Sequence, residues 1–230
     1  MKNIPMFWIA LIPSFIMIIG LVIGFIKRIY IRKGLQWIFF YLCLGVVAQF
    51  IQHFLWPGKP KNNLYLYHFY TPLEFIFLSL FYQYILRKEL HKAIFITISI
   101  LFLATAVYFS MYLQGLQSFN TYARFAESLI LLGYSIIYLM KTIPKIDTIR
   151  EFQENNNNFA IVTGICLYFL GSFLILSLSN SVLKFGDIAF NYLMWILHIV
   201  FLIVLYTAIN IGIWITPASR QKYHFTSPLS

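Results

Sequence analysis

The stretch NNLYLYHFYTPLEFIFLSLFY, residues 62–82, begins with amides and tyrosines and ends as an apolar run, yet it carries His68, Thr71 and Glu74. A helix needs about 20 predominantly apolar residues to cross a hydrocarbon core of about 30 Å, and this segment offers that length. A carboxylate deep in such a helix is costly unless it faces other protein groups or water. The stretch therefore predicts a membrane-spanning helix with a polar face directed into a bundle.

The composition places the whole chain in the same class. Of its 230 residues, 60% are hydrophobic and 10% are charged, whereas soluble domains carry roughly 45–50% apolar and about 25% charged residues. Seven apolar runs, too long for barrel strands, are separated by short connections. They cover residues 4–26, 35–56, 66–86, 93–113, 121–141, 159–181 and 187–214. The prediction is an all-α, seven-transmembrane bundle over residues 1–215, with a short tail at 216–230.

The distribution of basic residues predicts the orientation of the bundle. Connections on one side hold Lys27, Arg28, Arg32, Lys33, Arg87, Lys88, Lys92, Lys141, Lys145, Arg150, Arg220 and Lys222, and the other side holds Lys2, Lys59, Lys61, Arg124 and Lys184. By the positive-inside rule, the N-terminus is outside and the C-terminus is cytoplasmic. The net charge of +10 then reflects topology and attraction to an anionic bilayer rather than nucleic-acid binding. Cys43 and Cys166 lie within spans, so neither a disulfide nor thiol catalysis is expected.

Polar side chains recur at helical spacing in the predicted outer half of five spans. The stripes are Gln49, Gln52, His53 and Trp56 on span two, Tyr67, Tyr70, Thr71 and Glu74 with the adjacent His68 on span three, Asn120, Arg124 and Glu127 on span five, Ser177, Ser179 and Asn180 on span six, and Asp187, Asn191, Trp195 and His198 on span seven. Ionisable groups at membrane depth face the bundle interior, pair, or line a cavity. An outward-facing polar pocket is therefore expected. Its predicted members are Gln49, Gln52, His53, His68, Thr71, Glu74, Arg124, Glu127, Asn191, Trp195 and His198.

Structural roles compete with the pocket for several of these residues. Arg124 and Glu127 could form an i, i+3 ion pair, and Asp187 could begin a helix. The Asn-rich run at residues 155–158 is expected to be a flexible cytoplasmic loop. Gly20 and Gly24 form a G-x-x-x-G that serves either internal helix packing or a homodimer.

Three kinds of chemistry could use such a pocket. Aromatic walls with a few polar groups favour a receptor-like site for a small molecule or lipid headgroup. A zinc-dependent lipid hydrolase would use His53, His68, His198 and Glu74 as metal ligands, but no close ligand spacing supports it. A proton-coupled carrier would use Glu74 with a histidine, although no internal repeat is visible. A tightly bound cofactor is not expected.

The stretch at residues 62–82 and the stretch NFAIVTGICLYFLGSFLILSLSN at residues 158–180 resemble small seven-helix membrane proteins of Bacteroidota-type bacteria. The resemblance implies an inner-membrane location, with the neighbourhoods of Glu74 and Tyr168 as recurring features, and it implies no particular activity. The function expected from the sequence is that of a receptor-like or sensory module in the inner membrane. Its partners would be the lipid bilayer and a cytoplasmic or membrane signalling protein.

Overall fold

The computed structural model of the chain describes residues 4–52, 64–143, 149–177 and 187–217. In this part of the chain it contains seven α-helices and no β-strand, which confirms the all-α prediction. The helices are α1 (Ile4–Ile26), α2 (Leu35–Phe50), α3 (Leu64–Ile85), α4 (Lys92–Tyr108), α5 (Thr121–Thr142), α6 (Ile149–Ser177) and α7 (Ile188–Ile215). A π-helical turn, Phe109–Leu113, continues α4.

Local capping explains where two of the helices begin. The carboxylate of Asp187 accepts a hydrogen bond from the backbone N–H of Phe190 at 2.6 Å, which is the usual N-cap arrangement. Asp187 therefore begins α7. Its side chain is exposed and does not belong to a buried pocket. Gly34 precedes α2 with φ +88, a conformation that favours glycine, and the Tyr84 ring packs against it.

The start of α6 differs from the prediction. The helix begins at Ile149, ten residues before the expected span at 159–181, so the expected flexible loop at residues 155–158 is wrong. The physical reason is packing against the end of α7. The side-chain amide of Asn157 donates to the hydroxyl of Thr216 at 3.4 Å, and Gly212 leaves room for the backbone carbonyl of Asn157.

Six of the helices form a closed ring. Helix α1 packs against α2 and α7, α2 packs against α3, α3 against α5, α5 against α6, and α6 against α7. Helix α4 lies outside this ring, where it contacts α3 and α5. The ring therefore surrounds a central space to which α2, α3, α5, α6 and α7 can all contribute side chains.

By length and composition, three helical segments in the described part of the chain can cross a membrane: Lys92–Leu113, Thr121–Thr142 and Ala189–Ile215. Shorter apolar segments occur at Leu11–Ile26, Leu35–Phe50 and Asn157–Phe173. Helix α3 is 22 residues long but carries His68, Glu74 and Gln83. The molecule is thus a helical protein whose apolar helices indicate a membrane location.

The two glycines of the G-x-x-x-G on α1 are buried within the chain. A side chain at Gly20 would collide with Asn210 of α7, and one at Gly24 would press on Ile29 and Phe39. The side-chain amide of Asn210 donates to the Ile16 carbonyl at 2.8 Å, which fixes this approach of α7 to α1. In this structure both glycines therefore serve internal packing.

Candidate functional site

A buried cluster of three charged side chains, Glu74, Arg124 and Glu127, occupies the centre of the ring. One guanidinium nitrogen of Arg124, Nη1, donates to Oε2 of Glu74 across the α3–α5 contact. The same nitrogen donates to Oε2 of Glu127, one turn along α5, at 2.9 Å. The exposed fractions of the three residues are 1%, 3% and 0% in chain order. Both carboxylates thus depend on a single guanidinium that is shielded from solvent.

The cluster is not fully satisfied by the described residues. Oε1 of Glu127 and Nε of Arg124 have no hydrogen-bond partner in this part of the chain. The hydroxyl of Ser128, one turn after Arg124, is used elsewhere, since it donates to the backbone carbonyl of Arg124 at 2.7 Å. Buried polar atoms are nearly always paired with protein or water. The open positions are therefore places where water, a proton or a ligand group can bind.

Tyrosines form the next layer around Arg124. The guanidinium lies over the Tyr70 ring, with Cζ 5.2 Å from the ring centre, which is within range of a cation–π interaction. The hydroxyl of Tyr206 shares hydrogen bonds with those of Tyr41 and Tyr70. Tyr168 of α6 lies close enough to interact electrostatically with Arg124. A hydroxyl-rich aromatic shell thus joins α2, α3, α6 and α7 around the cation.

A cavity of about 80 Å³ adjoins this cluster on the side of Arg124. It is lined by Gly45, Ala48, Gln49, Gln52, Leu66, Tyr67, Tyr70, Arg124, Tyr168, His198, Leu202 and Tyr206. Because a buried water needs only about 10–15 Å³ of such space, the cavity has room for several waters or for a ligand of a few heavy atoms. All five helices for which the sequence predicts a polar stripe contribute to its wall.

Four of the predicted pocket residues line this cavity: Gln49, Gln52, Arg124 and His198. Glu74 and Glu127 do not line the cavity themselves, but both bind Arg124, which does.

The remaining predicted members, apart from His68, either do not line the cavity or lie outside the described residues. Trp195 contacts the rings of His198 and Phe119 but does not line the cavity. Thr71 is buried on α3, one turn before Glu74, and does not line the cavity. Asn191 lies on α7, one turn before Trp195, and does not line it either. His53 lies outside the described residues. On span six, Tyr168 supplies the wall, whereas Ser179 and Asn180 of the predicted stripe lie outside the described residues.

His68, which was predicted as a pocket residue, does not line this cavity. Its Nδ1 pairs with the Ser110 hydroxyl at 2.7 Å, and its Nε2 pairs with the Ser118 carbonyl at 2.9 Å. The reason is helical geometry, because each residue turns the chain by about 100°, which places position 68 well outside the stripe formed by Tyr67, Tyr70 and Glu74. His68 ties α3 to the end of α4 and to the connection before α5.

The proposed metal ligands do not come together in the described residues. In that part of the chain no three His, Cys, Asp or Glu side chains lie close enough to hold a metal ion. Both ring nitrogens of His68 already have protein partners. His198 instead packs against the Tyr168 and Trp195 rings, and its Nδ1 lies 3.4 Å from the Ser172 hydroxyl.

Several residues of the cavity wall, and Tyr41 of the tyrosine layer around Arg124, were missed from the sequence although the stripes pointed to them. Gly45 lies four residues before Gln49, and Tyr41 four residues before Gly45, so both extend the stripe on α2. Tyr206 lies eight residues after His198 and extends the stripe on α7 in the same way. A search for polar residues alone passes over glycine and treats tyrosine as an interfacial anchor.

Comparison with known proteins gives no match: no protein family, no curated protein and no solved structure is similar to this chain.

Proposed function

We propose that this protein is a seven-span bacterial inner-membrane protein, with its N-terminus outside, whose central cavity binds a small polar molecule or lipid headgroup. In this proposal it is a receptor-like or sensory module that passes the binding event to a partner protein.

The outer surface of the bundle supports a seven-span arrangement. Each helix exposes at least one large apolar side chain, including Phe15 on α1, Val47 on α2, Phe69 on α3, Ile100 on α4, Met140 on α5, Leu170 on α6 and Trp214 on α7. Soluble proteins rarely expose so continuous an apolar surface. Apart from Lys141 in the last turn of α5, the charged residues of α3 and α5 meanwhile lie inside. Apolar outside and charged inside is the distribution expected of a bundle in lipid.

The observation that carries the binding proposal is the position of Arg124. Its guanidinium is held by two glutamates and by the Tyr70 ring, yet it forms part of the cavity wall. Burying such a network seldom stabilises a protein more than apolar packing would. We infer that it is retained to recognise a ligand, with the tyrosine hydroxyls and the amides of Gln49 and Gln52 as further hydrogen-bonding groups.

A thermal-shift measurement on the detergent-purified protein tests this proposal. The probes are ethanolamine, inorganic phosphate and glycine, which carry headgroup or amino-acid chemistry and are small enough for the cavity. A probe at 100 times its dissociation constant raises the stability by about 2.7 kcal/mol. The shift should disappear in Gln49→Leu, which removes a lining amide, and should persist in Gln83→Leu, whose amide lies away from the cavity on α3. If native mass spectrometry finds no co-purifying small molecule and no probe shifts the protein, the binding proposal fails.

Labelling with a membrane-impermeant thiol reagent tests the topology. Single cysteines at Gln117, between α4 and α5, and at Lys33, between α1 and α2, are introduced after Cys43 and Cys166 are replaced. In the proposed orientation the cysteine at position 117 reacts in intact spheroplasts, and the one at position 33 reacts only after lysis. The reverse pattern would mean that the bundle has the opposite orientation. Reaction of both cysteines in intact spheroplasts would exclude the proposed topology.

The hydrolase and carrier alternatives make separate predictions. A hydrolase requires about one equivalent of metal by elemental analysis, lost in a triple alanine variant of His53, His68 and His198. A carrier requires uptake into proteoliposomes that depends on Glu74.

A further inference from the structure

The central cluster holds more negative than positive charge. Glu74 and Glu127 provide two carboxylates, and Arg124 provides one guanidinium. The other lysines and arginines in the described part of the chain lie at helix ends or in connections between helices. With both carboxylates ionised, the cluster would keep one uncompensated negative charge at a site that is at most 3% exposed.

The other titratable groups around the cluster do not supply the missing positive charge. They are Tyr70 from α3, Tyr41 from α2, Tyr168 from α6, and Tyr206 and His198 from α7. A tyrosine hydroxyl is neutral or negative, never cationic. His198 lies on the cavity wall with Arg124 and against the Tyr168 and Trp195 rings, where a second cation beside the guanidinium would be repelled.

Two carboxylates that share one site do not both ionise readily, and one of them keeps a proton. The geometry identifies which one. Glu127 contacts Arg124 through Oε2 only, and its Oε1 has no partner among the described residues although the residue is fully buried. An unpartnered oxygen is less costly on a neutral carboxylic acid than on a carboxylate.

We propose that the cluster of Glu74, Arg124 and Glu127 is a proton-binding site that holds one proton on Glu127. Arg124 also lines the cavity, so a ligand group that contacts the guanidinium alters the charge that the two carboxylates experience. An anionic group would draw a second proton onto the cluster, and a cationic group would release the first. The site follows from the buried charges and does not depend on the receptor proposal.

Infrared spectroscopy of the purified protein at pH 7, with ¹³C-labelled glutamate to identify the band, tests the proton directly. The wild type should show the carbonyl stretch of one protonated glutamic acid, and Glu127→Gln should lose it. Glu74→Gln should lose it as well, because the remaining carboxylate is then balanced by Arg124. Arg124→Gln should increase the band about twofold, since both glutamates then need a proton. Glu89→Gln, at an exposed glutamate, is the control and should leave the band unchanged.

Three results overturn the proposal. They are a wild-type spectrum without the band, a band that persists in Glu127→Gln, and a band that survives Glu74→Gln, which would mean that burial alone protonates Glu127. Circular dichroism and size-exclusion chromatography establish that each variant is folded. If Glu74→Gln does not fold, Glu74→Met, which also removes the carboxylate, is measured in its place and should lose the band in the same way. Loss of probe binding in the thermal-shift assay leaves this band unaffected, so the two proposals fail separately.

Discussion

Arg124→Gln removes the only cation that the described residues offer to Glu74 and Glu127. The variant must then bind one more proton on folding than the wild type does. Protonating a glutamate with an ordinary pKa of about 4.3 costs about 4 kcal/mol at pH 7 and about 1 kcal/mol at pH 5. The first figure agrees with the 3–5 kcal/mol typical of a broken buried ion pair. We therefore expect a loss of about 4 kcal/mol in the free energy of unfolding at neutral pH.

The assay is thermal unfolding in detergent at pH 7 and pH 5. At about 2–4 °C per kcal/mol for a chain of this size, the apparent Tm of Arg124→Gln should fall by roughly 8–16 °C at pH 7. At pH 5 the loss should shrink to roughly 2–4 °C, because the extra proton is then easier to bind. Arg87→Gln, at an exposed arginine that packs over the Tyr84 ring, is the matched control and should change the stability by less than about 0.5–1 kcal/mol.

A triple variant separates charge imbalance from lost packing. Glu74→Gln, Arg124→Gln and Glu127→Gln together leave no buried charge, so most of the lost stability should return. An Arg124→Gln variant as stable as the wild type at pH 7 would show that the two glutamates do not need the guanidinium. An equal loss at pH 5 and pH 7, or a triple variant less stable than Arg124→Gln, would rule out charge imbalance as the cause of the lost stability.

Three further predictions concern packing, linkage and the cavity. Gly212→Ala should destabilise the protein by about 1–3 kcal/mol, because its methyl group would lie against a backbone carbonyl of α6, whereas Gly133→Ala, with open space around it, should be neutral or stabilising in the same thermal assay. His68→Ala should lower the stability by about 1–3 kcal/mol by removing its bond to Ser110 and leaving the Ser118 carbonyl without its imidazole partner, and an unchanged Tm would contradict its linking role. Gly45→Leu should abolish any probe-induced thermal shift by filling the cavity, with only a modest change in Tm because the flexible end of Met17 can move aside.

Helical periodicity predicted the helices and the polar face of each one because both depend on local geometry. Positions three, four and seven residues apart share a helix face whatever surrounds them, so Gln49 with Gln52 and Arg124 with Glu127 could be paired from the sequence. The helix-start role of Asp187 could also be predicted from the sequence, because its negative charge and its position before an apolar run favour the beginning of a helix.

Contacts between helices could not be read in this way. The bond from Arg124 to Glu74 depends on the rotation of α3 relative to α5, which is set by packing along their whole length. His68 lies beside the polar stripe in sequence but about a third of a turn away from Glu74 in space, so that a bond to Ser118 became available instead. The early start of α6 similarly depends on Asn157 finding Thr216 at the far end of α7.

The double role of Arg124 links the buried cluster to the cavity. Its Nη1 binds both carboxylates, while other parts of the side chain lie over Tyr70 and on the cavity wall. A ligand that hydrogen-bonds to the guanidinium therefore competes with Glu127, the more weakly held of the two partners. Arg124 lies on α5 together with Glu127, whereas Glu74 is on α3. A change in how strongly Arg124 binds each carboxylate therefore also changes the ion pair that links α3 to α5. Ligand binding in the cavity would in this way alter the α3–α5 contact, which under the proposed function is the route by which the binding event reaches a partner protein.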